Sequence, residues 1–149
     1  MKRLVYLCAL TAVPGASFVD QLTTDPDMIN PAYATGLGDT DANGLRAWVN
    51  DDLAREFLYA DCAPDVAAGA VERMRPQAQT PYVHACPIET YADIPSTYVV
   101  CGEDRLVNPA WSRRIAIERL SADLIEMPGS HSPFASRPSE LAALLHELA

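Results

Sequence analysis

Three short apolar runs, at 4–10, 96–101 and 124–127, dominate the hydrophobic pattern of the chain. Each has the length of a β-strand, and an uninterrupted apolar run is typical of a strand that is buried on both faces of a parallel sheet. A helical pattern starts at Asn108 and Pro109, between the second and third runs. Because parallel strands need a crossover connection, we predict a strand–helix–strand unit in the last third of the chain.

Helical spacing elsewhere predicts further helices. The predicted helices cover about 50–59, 61–75, 108–120 and a final stretch from Pro138 through Leu148. Asn50 is a good capping residue for the first, and Pro64 suits the first turn of the second. In the third, Arg114 and Glu118 have the i,i+4 spacing of an exposed ion pair.

Two stretches lack a regular pattern. Residues 16–44 are interrupted by prolines and glycines, so we predict loops and short turns there. Residues 77–94 are predicted to be an extended connection. An irregular stretch as long as 16–44 is unusual inside a core and indicates a lid or a surface excursion.

Composition limits the choice of partners. The chain has 149 residues, the size of one domain, and a formal net charge of -9. Its basic residues are scattered, which disfavours binding to nucleic-acid phosphates. No apolar run approaches the ~20 residues of a membrane-spanning helix, so we expect no membrane partner. The three histidines show no metal-ligand spacing, and we expect neither a metal nor another cofactor.

The cysteines and the N-terminus bear on location. Cys8, Cys62, Cys86 and Cys101 form no C-x-x-C motif, and we interpret them as free thiols of a cytoplasmic, reducing compartment. The basic residues before the first apolar run resemble the start of a secretory signal. That run is short and lacks a small-residue cleavage site, so a buried strand is the favoured interpretation and a signal peptide the alternative.

Two residues that follow predicted strands carry the candidate chemistry. Asp104 lies just after the run 96–101, and His131 lies just after the run 124–127. The carboxyl ends of neighbouring parallel strands lie at one edge of a sheet, where open α/β proteins bind ligands. We therefore predict that Asp104 and His131 are the acid and the base of a nucleophile–His–acid triad.

The nucleophile of such a triad is not evident. No G-x-S-x-G motif, which exposes a serine on a strand–turn–helix elbow, occurs in the sequence. Weaker candidates remain open and are Cys101, Ser130, Ser132 and Ser17. Glu103 is an alternative acid, and His84 is interpreted as a lid or surface residue.

Several aromatic side chains could line an apolar pocket. Most of them suit ordinary packing, but Trp48 and Phe57 lie next to the irregular stretch that resembles a lid. We predict that these two contact a small, apolar, ester-like ligand.

Four sequence segments together resemble the α/β-hydrolase superfamily, in its branch of methylesterases and hydroxynitrile lyases. They are 3–10, 57–62, 95–104 and 128–134, and the last two contain Asp104 and His131. The resemblance implies a partial α/β-hydrolase fold with a short parallel sheet of about three strands, flanking helices and a helical cap insertion. It implies one domain, in which about 14–88 form the cap and 1–13 and 89–149 form the core.

The resemblance also implies esterase-like hydrolysis, with Asp104 as triad acid and His131 as triad base. The first strands of the family sheet and the nucleophile elbow would precede this segment, so we expect a hydrolase half that does not catalyse alone. The alternative is a non-catalytic remnant, or a module for small-molecule binding or assembly. The unpaired edge of the first strand predicts a homo-oligomer or a complementing chain.

Overall fold

The computed structural model describes residues 2–149, and its centre is a three-stranded parallel sheet. The strands are β1 (Leu4–Leu7), β4 (Ser96–Cys101) and β5 (Asp123–Met127), in the order β1-β4-β5. Leu4 is opposite Ser96, and Thr97 is opposite Asp123. The predicted α/β class and three-stranded sheet are confirmed, and β1 is shorter than predicted because the chain turns at Cys8, whose φ is +45°.

Helices of the last third pack on both faces of β4. In this part of the chain the helices are α5 (Pro109–Glu118), α6 (Pro133–Ser136) and α7 (Pro138–Glu147). Successive side chains of a strand point to opposite faces. Val99 therefore packs with Leu141 of α7, while Val100 packs with Ala116 of α5. The core lies on both sides of β4, which holds this strand and its carboxyl end in a fixed position.

The segment between β1 and β4 is more regular than the sequence pattern predicted. It contains α1 (Phe18–Thr24), a 3-10 turn (Pro31–Gly36), β2 (Leu45–Arg46), α2 (Asp51–Leu58), α3 (Pro64–Glu72), β3 (Gln77–Ala78) and α4 (Thr80–Val83). The predictions of helices near 50–59 and 61–75 are confirmed, the second over a shorter range. The prediction of only loops and turns in 16–44 is wrong, and the extended connection predicted for 77–94 is interrupted by α4.

The start of α1 shows why that helix forms. The Ser17 hydroxyl accepts a hydrogen bond from the backbone N–H of Asp20, and the Asp20 carboxylate accepts one from the backbone N–H of Ser17. This capping box satisfies two backbone groups that a helix end otherwise leaves unpaired.

An ion cluster joins α5 to the segment after α1. Arg119 donates to the Asp25 carboxylate at 2.6 Å, and Arg114 binds both Asp25 and Asp27. The predicted Arg114–Glu118 ion pair is wrong, because the Arg114 guanidinium pairs instead with Asp25 and Asp27. No helix in residues 2–149 is long and apolar enough to cross a membrane.

Candidate active site

Asp104 and His131 lie side by side at the carboxyl edge of the sheet. The Nδ1 atom of His131 is 2.9 Å from the Oδ2 atom of Asp104. Backbone hydrogen bonds from Gly102 to Met127 and from Glu103 to Gly129 hold the two loops together beyond the last paired residues of β4 and β5. As predicted from the sequence, the two neighbouring strands bring a carboxylate and an imidazole together at one edge of the sheet.

The carboxylate of Asp104 is fixed from two directions. Its Oδ2 atom faces His131, and its Oδ1 atom accepts backbone N–H bonds from Leu106 at 2.8 Å and Val107 at 3.0 Å. Its side chain is only 3% exposed. The two backbone donors fix Oδ1, which leaves Oδ2 directed at the imidazole as a hydrogen-bond acceptor.

The second ring nitrogen of His131, Nε2, is the one available for proton transfer. In the tautomer that donates from Nδ1 to Asp104, the lone pair of the imidazole is on Nε2. In residues 2–149, Nε2 has no hydrogen-bond partner, and the His131 side chain is 22% exposed. This geometry suits a general base that takes a proton from a group outside its own loop.

A partly buried anchor holds the loop that carries His131. The Ser130 hydroxyl donates to the Asp61 carboxylate, whose other oxygen lies 3.6 Å from Nε of Arg137. Burial alone would raise the pKa of Asp61, but hydrogen bonding, chiefly from the Ser130 hydroxyl, outweighs burial and lowers that pKa. Asp61 therefore remains an anion that ties the end of the α2 segment to the His131 loop.

Gly129 makes this anchor sterically feasible. Its φ is +102°, and a Cβ atom at this position would come within 2.4 Å of the Asp61 carboxylate and 2.8 Å of Arg137. Left-handed φ values favour glycine, and the close approach leaves no room for a side chain.

The other candidate residues have different surroundings. The sulfur-bearing side chain of Cys101 lies in the closed core with Cys8, and the residue is 0% exposed. Ser130 is engaged with Asp61, and Ser17 caps α1. Ser132 is buried before α6. Within the described residues, none of these groups is hydrogen-bonded to His131 Nε2.

The remaining alternatives are exposed. Glu103 is exposed beside Asp104, and the imidazole contacts Asp104 instead. His84 lies at the end of α4, in a shallow pocket lined by Leu10 and Phe18. Within residues 2–149, no three His, Cys, Asp or Glu side chains form a group that could hold a metal ion.

Two cavities adjoin the Asp104 turn. The first, of about 420 Å³, is lined by Asp104 and by Phe57, which is 3% exposed. The second measures about 530 Å³, and we call it the apolar cavity. Its apolar lining includes Trp48, Leu22, Ile29, Leu37, Leu58 and Met74. Leu106 lines both. The ring centroids of Trp48 and Phe57 are 6.5 Å apart, so the two predicted contact residues lie against each other, each at one cavity.

Comparison with known proteins identifies the family. A sequence model described as the alpha/beta hydrolase family matches residues 1–144. The chain belongs to the alpha/beta hydrolase family. This hydrolase-family chain is 28% identical over 152 residues to the alpha/beta hydrolase nvfD of Aspergillus novofumigatus (strain IBT 16806), a match that covers 99% of the chain and 56% of the relative.

Solved structures share the fold of this hydrolase-family chain. A pyrethroid hydrolase from Sphingobium faniae JZ-2 matches with a TM-score of 0.73 at 20% identity, covering 99% of the chain and 60% of that structure. The methylesterase MES16 from Arabidopsis matches with a TM-score of 0.69 at 17% identity, covering 99% and 59%. The chain thus spans somewhat more than half the length of these relatives, and the fold it shares with them is partial.

Sequence reasoning missed the Asp61–Ser130 anchor in this hydrolase-family chain. Both residues lie in segments that carry the family resemblance, but they are far apart in sequence and neither has a spacing signal that predicts the contact. The available signal was Gly129, since a glycine directly before a candidate catalytic loop indicates a special backbone conformation or a close approach.

Proposed function

We propose that this chain supplies the acid and base of a carboxylic-ester hydrolase. Asp104 orients His131, and His131 Nε2 takes the proton of a serine hydroxyl as its oxygen attacks the ester carbonyl. The alcohol leaves with that proton, and water then releases the acid by the same route. The observation that carries the proposal is the buried Asp104 carboxylate, which accepts two backbone N–H bonds and lies 2.9 Å from the His131 imidazole. Among the described residues, the Nε2 atom of that imidazole has no hydrogen-bond partner.

The nucleophile is proposed to come from polypeptide that completes the sheet beside β1. In the described residues β1 pairs only with β4, so its other edge has unpaired backbone groups that can add a strand. A complementing segment or chain at this edge would extend the sheet and present a serine to His131. A second copy of the chain is the alternative occupant of the edge.

Further parts of the proposal concern the ligand and its setting. Residues of about 14–88 act as a cap, and the ligand is a small apolar ester held near Trp48 and Phe57, which line the two cavities. The four cysteines are free thiols, which favours a cytoplasmic, reducing location.

The test uses the chain purified from its native cells through an affinity tag. Any polypeptide that is joined to the chain or bound to it in those cells is purified with it. We expect turnover of a p-nitrophenyl ester and labelling of a serine outside residues 1–149 by a fluorophosphonate. His131→Ala should abolish turnover, and Asp104→Asn should lower it about 10⁴-fold by favouring the wrong tautomer. His146→Ala, an exposed histidine of α7, is the matched control and should retain full turnover.

A second candidate function is a non-catalytic module that binds a small molecule. It is supported by the absence, within residues 2–149, of a nucleophile bonded to His131 Nε2, together with a formed apolar cavity. Ligand-dependent thermal stabilisation with neither ester turnover nor fluorophosphonate labelling would favour this second function and would contradict the first.

A further inference from the structure

The apolar cavity has a polar end. Most of its lining is aliphatic or aromatic, but Tyr33, Arg46 and Tyr82 also contribute to it. Neither tyrosine hydroxyl has a hydrogen-bond partner within the described residues. Burial raises the pKa of Tyr33, the neighbouring Tyr82 adds to this rise, and the charge of Arg46 opposes it. All three of these side chains line the one cavity.

The Arg46 side chain is held in place by the backbone. Its Nε atom donates to the carbonyl oxygen of Gly38 at 2.7 Å. Arg46 is also paired across the β2–β3 ladder with Gln77, which lines the same cavity. Side chains directly opposite each other in a ladder lie on one face, so the ladder directs Arg46 toward the cavity.

A positional pattern reinforces this polar end. Arg75, Gln77 and Gln79 are two residues apart, and all three line the apolar cavity. Alternate residues of an extended chain point to the same side. The segment that contains β3 thus places a second guanidinium and two amides along the wall that carries Arg46.

The two arginines of this wall lack acidic partners. Within residues 2–149, no carboxylate lies within 4.0 Å of the guanidinium nitrogens of Arg46 or Arg75. Most other arginines are ion-paired, namely Arg3, Arg55, Arg113, Arg114, Arg119 and Arg137. In a chain with 20 acidic and 11 basic residues, unpaired guanidinium groups on a cavity wall point to an anion supplied by a ligand.

We propose that the apolar cavity binds an apolar molecule that carries one carboxylate, which is received by Arg46 with the hydroxyls of Tyr33 and Tyr82. A guanidinium offers paired N–H donors that match the two oxygens of a carboxylate, and a tyrosine hydroxyl adds a neutral donor. The aliphatic and aromatic part of the ligand packs against Trp48 and its apolar neighbours. Arg75, which is exposed, adds a weaker attraction at the mouth of the cavity.

This inference names the substrate class of the proposed hydrolase, and to that extent it rests on the proposed function. Leu106 lines the apolar cavity and donates its backbone N–H to Asp104. A ligand that fills this cavity from Arg46 to Leu106 would reach the residue that borders the Asp104 turn. The substrate would be an ester with a free carboxylate at its far end, such as the half-ester of a dicarboxylic acid.

The test measures equilibrium binding by calorimetry on the whole chain, so that it needs no nucleophile. The probes are 4-phenylbutanoate, its methyl ester and 4-phenylbutylamine. We expect the carboxylate to bind at least 10-fold more tightly than the methyl ester, and the amine more weakly than the ester. Arg46→Gln should reduce the preference for the carboxylate over the ester to about 2-fold, with the Kd of the ester unchanged.

Two further variants separate the ligand site from folding and from general charge. Arg55→Gln removes an exposed arginine that is paired with Asp51 and Asp52, and it should leave all three affinities unchanged. Arg75→Gln, at an exposed position, should lower the carboxylate preference about 2–3-fold even if Arg46→Gln fails to fold.

Three results would overturn the inference. They are equal affinity of the wild-type chain for acid and ester, no binding of any probe, or a carboxylate preference that survives Arg46→Gln. A failure of ester turnover with the carboxylate preference intact would instead count against the proposed function alone.

Discussion

Ser130 donates a hydrogen bond to Asp61, so the residue directly before His131 is fastened to the end of the α2 segment. The imidazole is thereby held from both sides, by Asp104 at Nδ1 and by the anchor beneath its loop. The residues between β1 and β4 thus contribute to the position of the proposed catalytic base as well as to the cavities.

Replacing Gly129 should destabilise the protein. Gly129→Ala introduces a Cβ atom 2.4 Å from the Asp61 carboxylate at a φ of +102°. Left-handed strain and overpacking together predict a loss of about 2–4 kcal/mol in the free energy of unfolding, measured by urea denaturation. Gly44→Ala has the strain without the contact, and Gly102→Ala has neither. Their losses should be about 1 kcal/mol and under about 0.5 kcal/mol, and equal losses for Gly129 and Gly44 would contradict the proposed crowding.

The Ser130–Asp61 contact should be cooperative. Ser130→Ala leaves the partly buried Asp61 carboxylate with one partner fewer, and Asp61→Asn removes its charge. A double-mutant cycle on the free energy of unfolding should give a coupling energy of about 1–3 kcal/mol. Additive effects of the two substitutions would show that the contact does not hold the loop.

Acid should weaken the ion cluster around Asp25. Burial alone would raise the pKa of Asp25, but Arg119 and Arg114 outweigh burial and hold that pKa below its ordinary value. Because the folded pKa is lower than the unfolded one, this stabilisation is present above about pH 4 and is lost as the pH falls through the folded pKa. The urea midpoint should drop over this range.

The control for the acid experiment is Asp27, the exposed partner of Arg114. Asp25→Asn should destabilise the protein at neutral pH and flatten the decline in acid, whereas Asp27→Asn should preserve that decline. The same acid profile in the wild-type chain and Asp25→Asn would refute the assignment.

Strong alkali should unfold the protein through Tyr98. Burial raises the pKa of Tyr98 to about 12, and its hydroxyl donates to the carbonyl oxygen of Ala9. The folded pKa exceeds the unfolded value of about 10, so the stabilisation is complete below pH 10 and is lost as the pH rises through about 12. Absorbance titration should show a last phase of tyrosine ionisation near pH 12, and Tyr98→Phe should remove that phase. A wild-type chain without a late tyrosine would contradict this.

The elements with strong local signals were predictable from the sequence. The bounds of β4 and the Asn50 and Asn108 caps follow from apolar run length and capping chemistry. The Asp104–His131 contact follows from the order of strands, because parallel neighbours end at one edge. The proximity of Asp104 and His131 was therefore predictable from the sequence.

The remaining elements and contacts were not predictable in this way. The α1 helix was missed although Ser17 and Asp20 form a capping box, because the prolines and glycines around them dominated the pattern. The β2–β3 ladder has only two residue pairs, too few to show alternation. The partners of Arg114 depend on how α5 packs against another segment, and sequence spacing carries no information about that packing.

The backbone turn after β4 sets the direction of the Asp104 carboxylate. The backbone N–H groups of Leu106 and Val107 donate to the Oδ1 atom of Asp104. The same turn leads into Asn108, the N-cap of α5. Strand β4, the turn and helix α5 thus form one local unit, and the fold of this unit orients the Asp104 carboxylate. Folding of this unit therefore sets the direction of the carboxylate that His131, from the loop after β5, contacts at 2.9 Å.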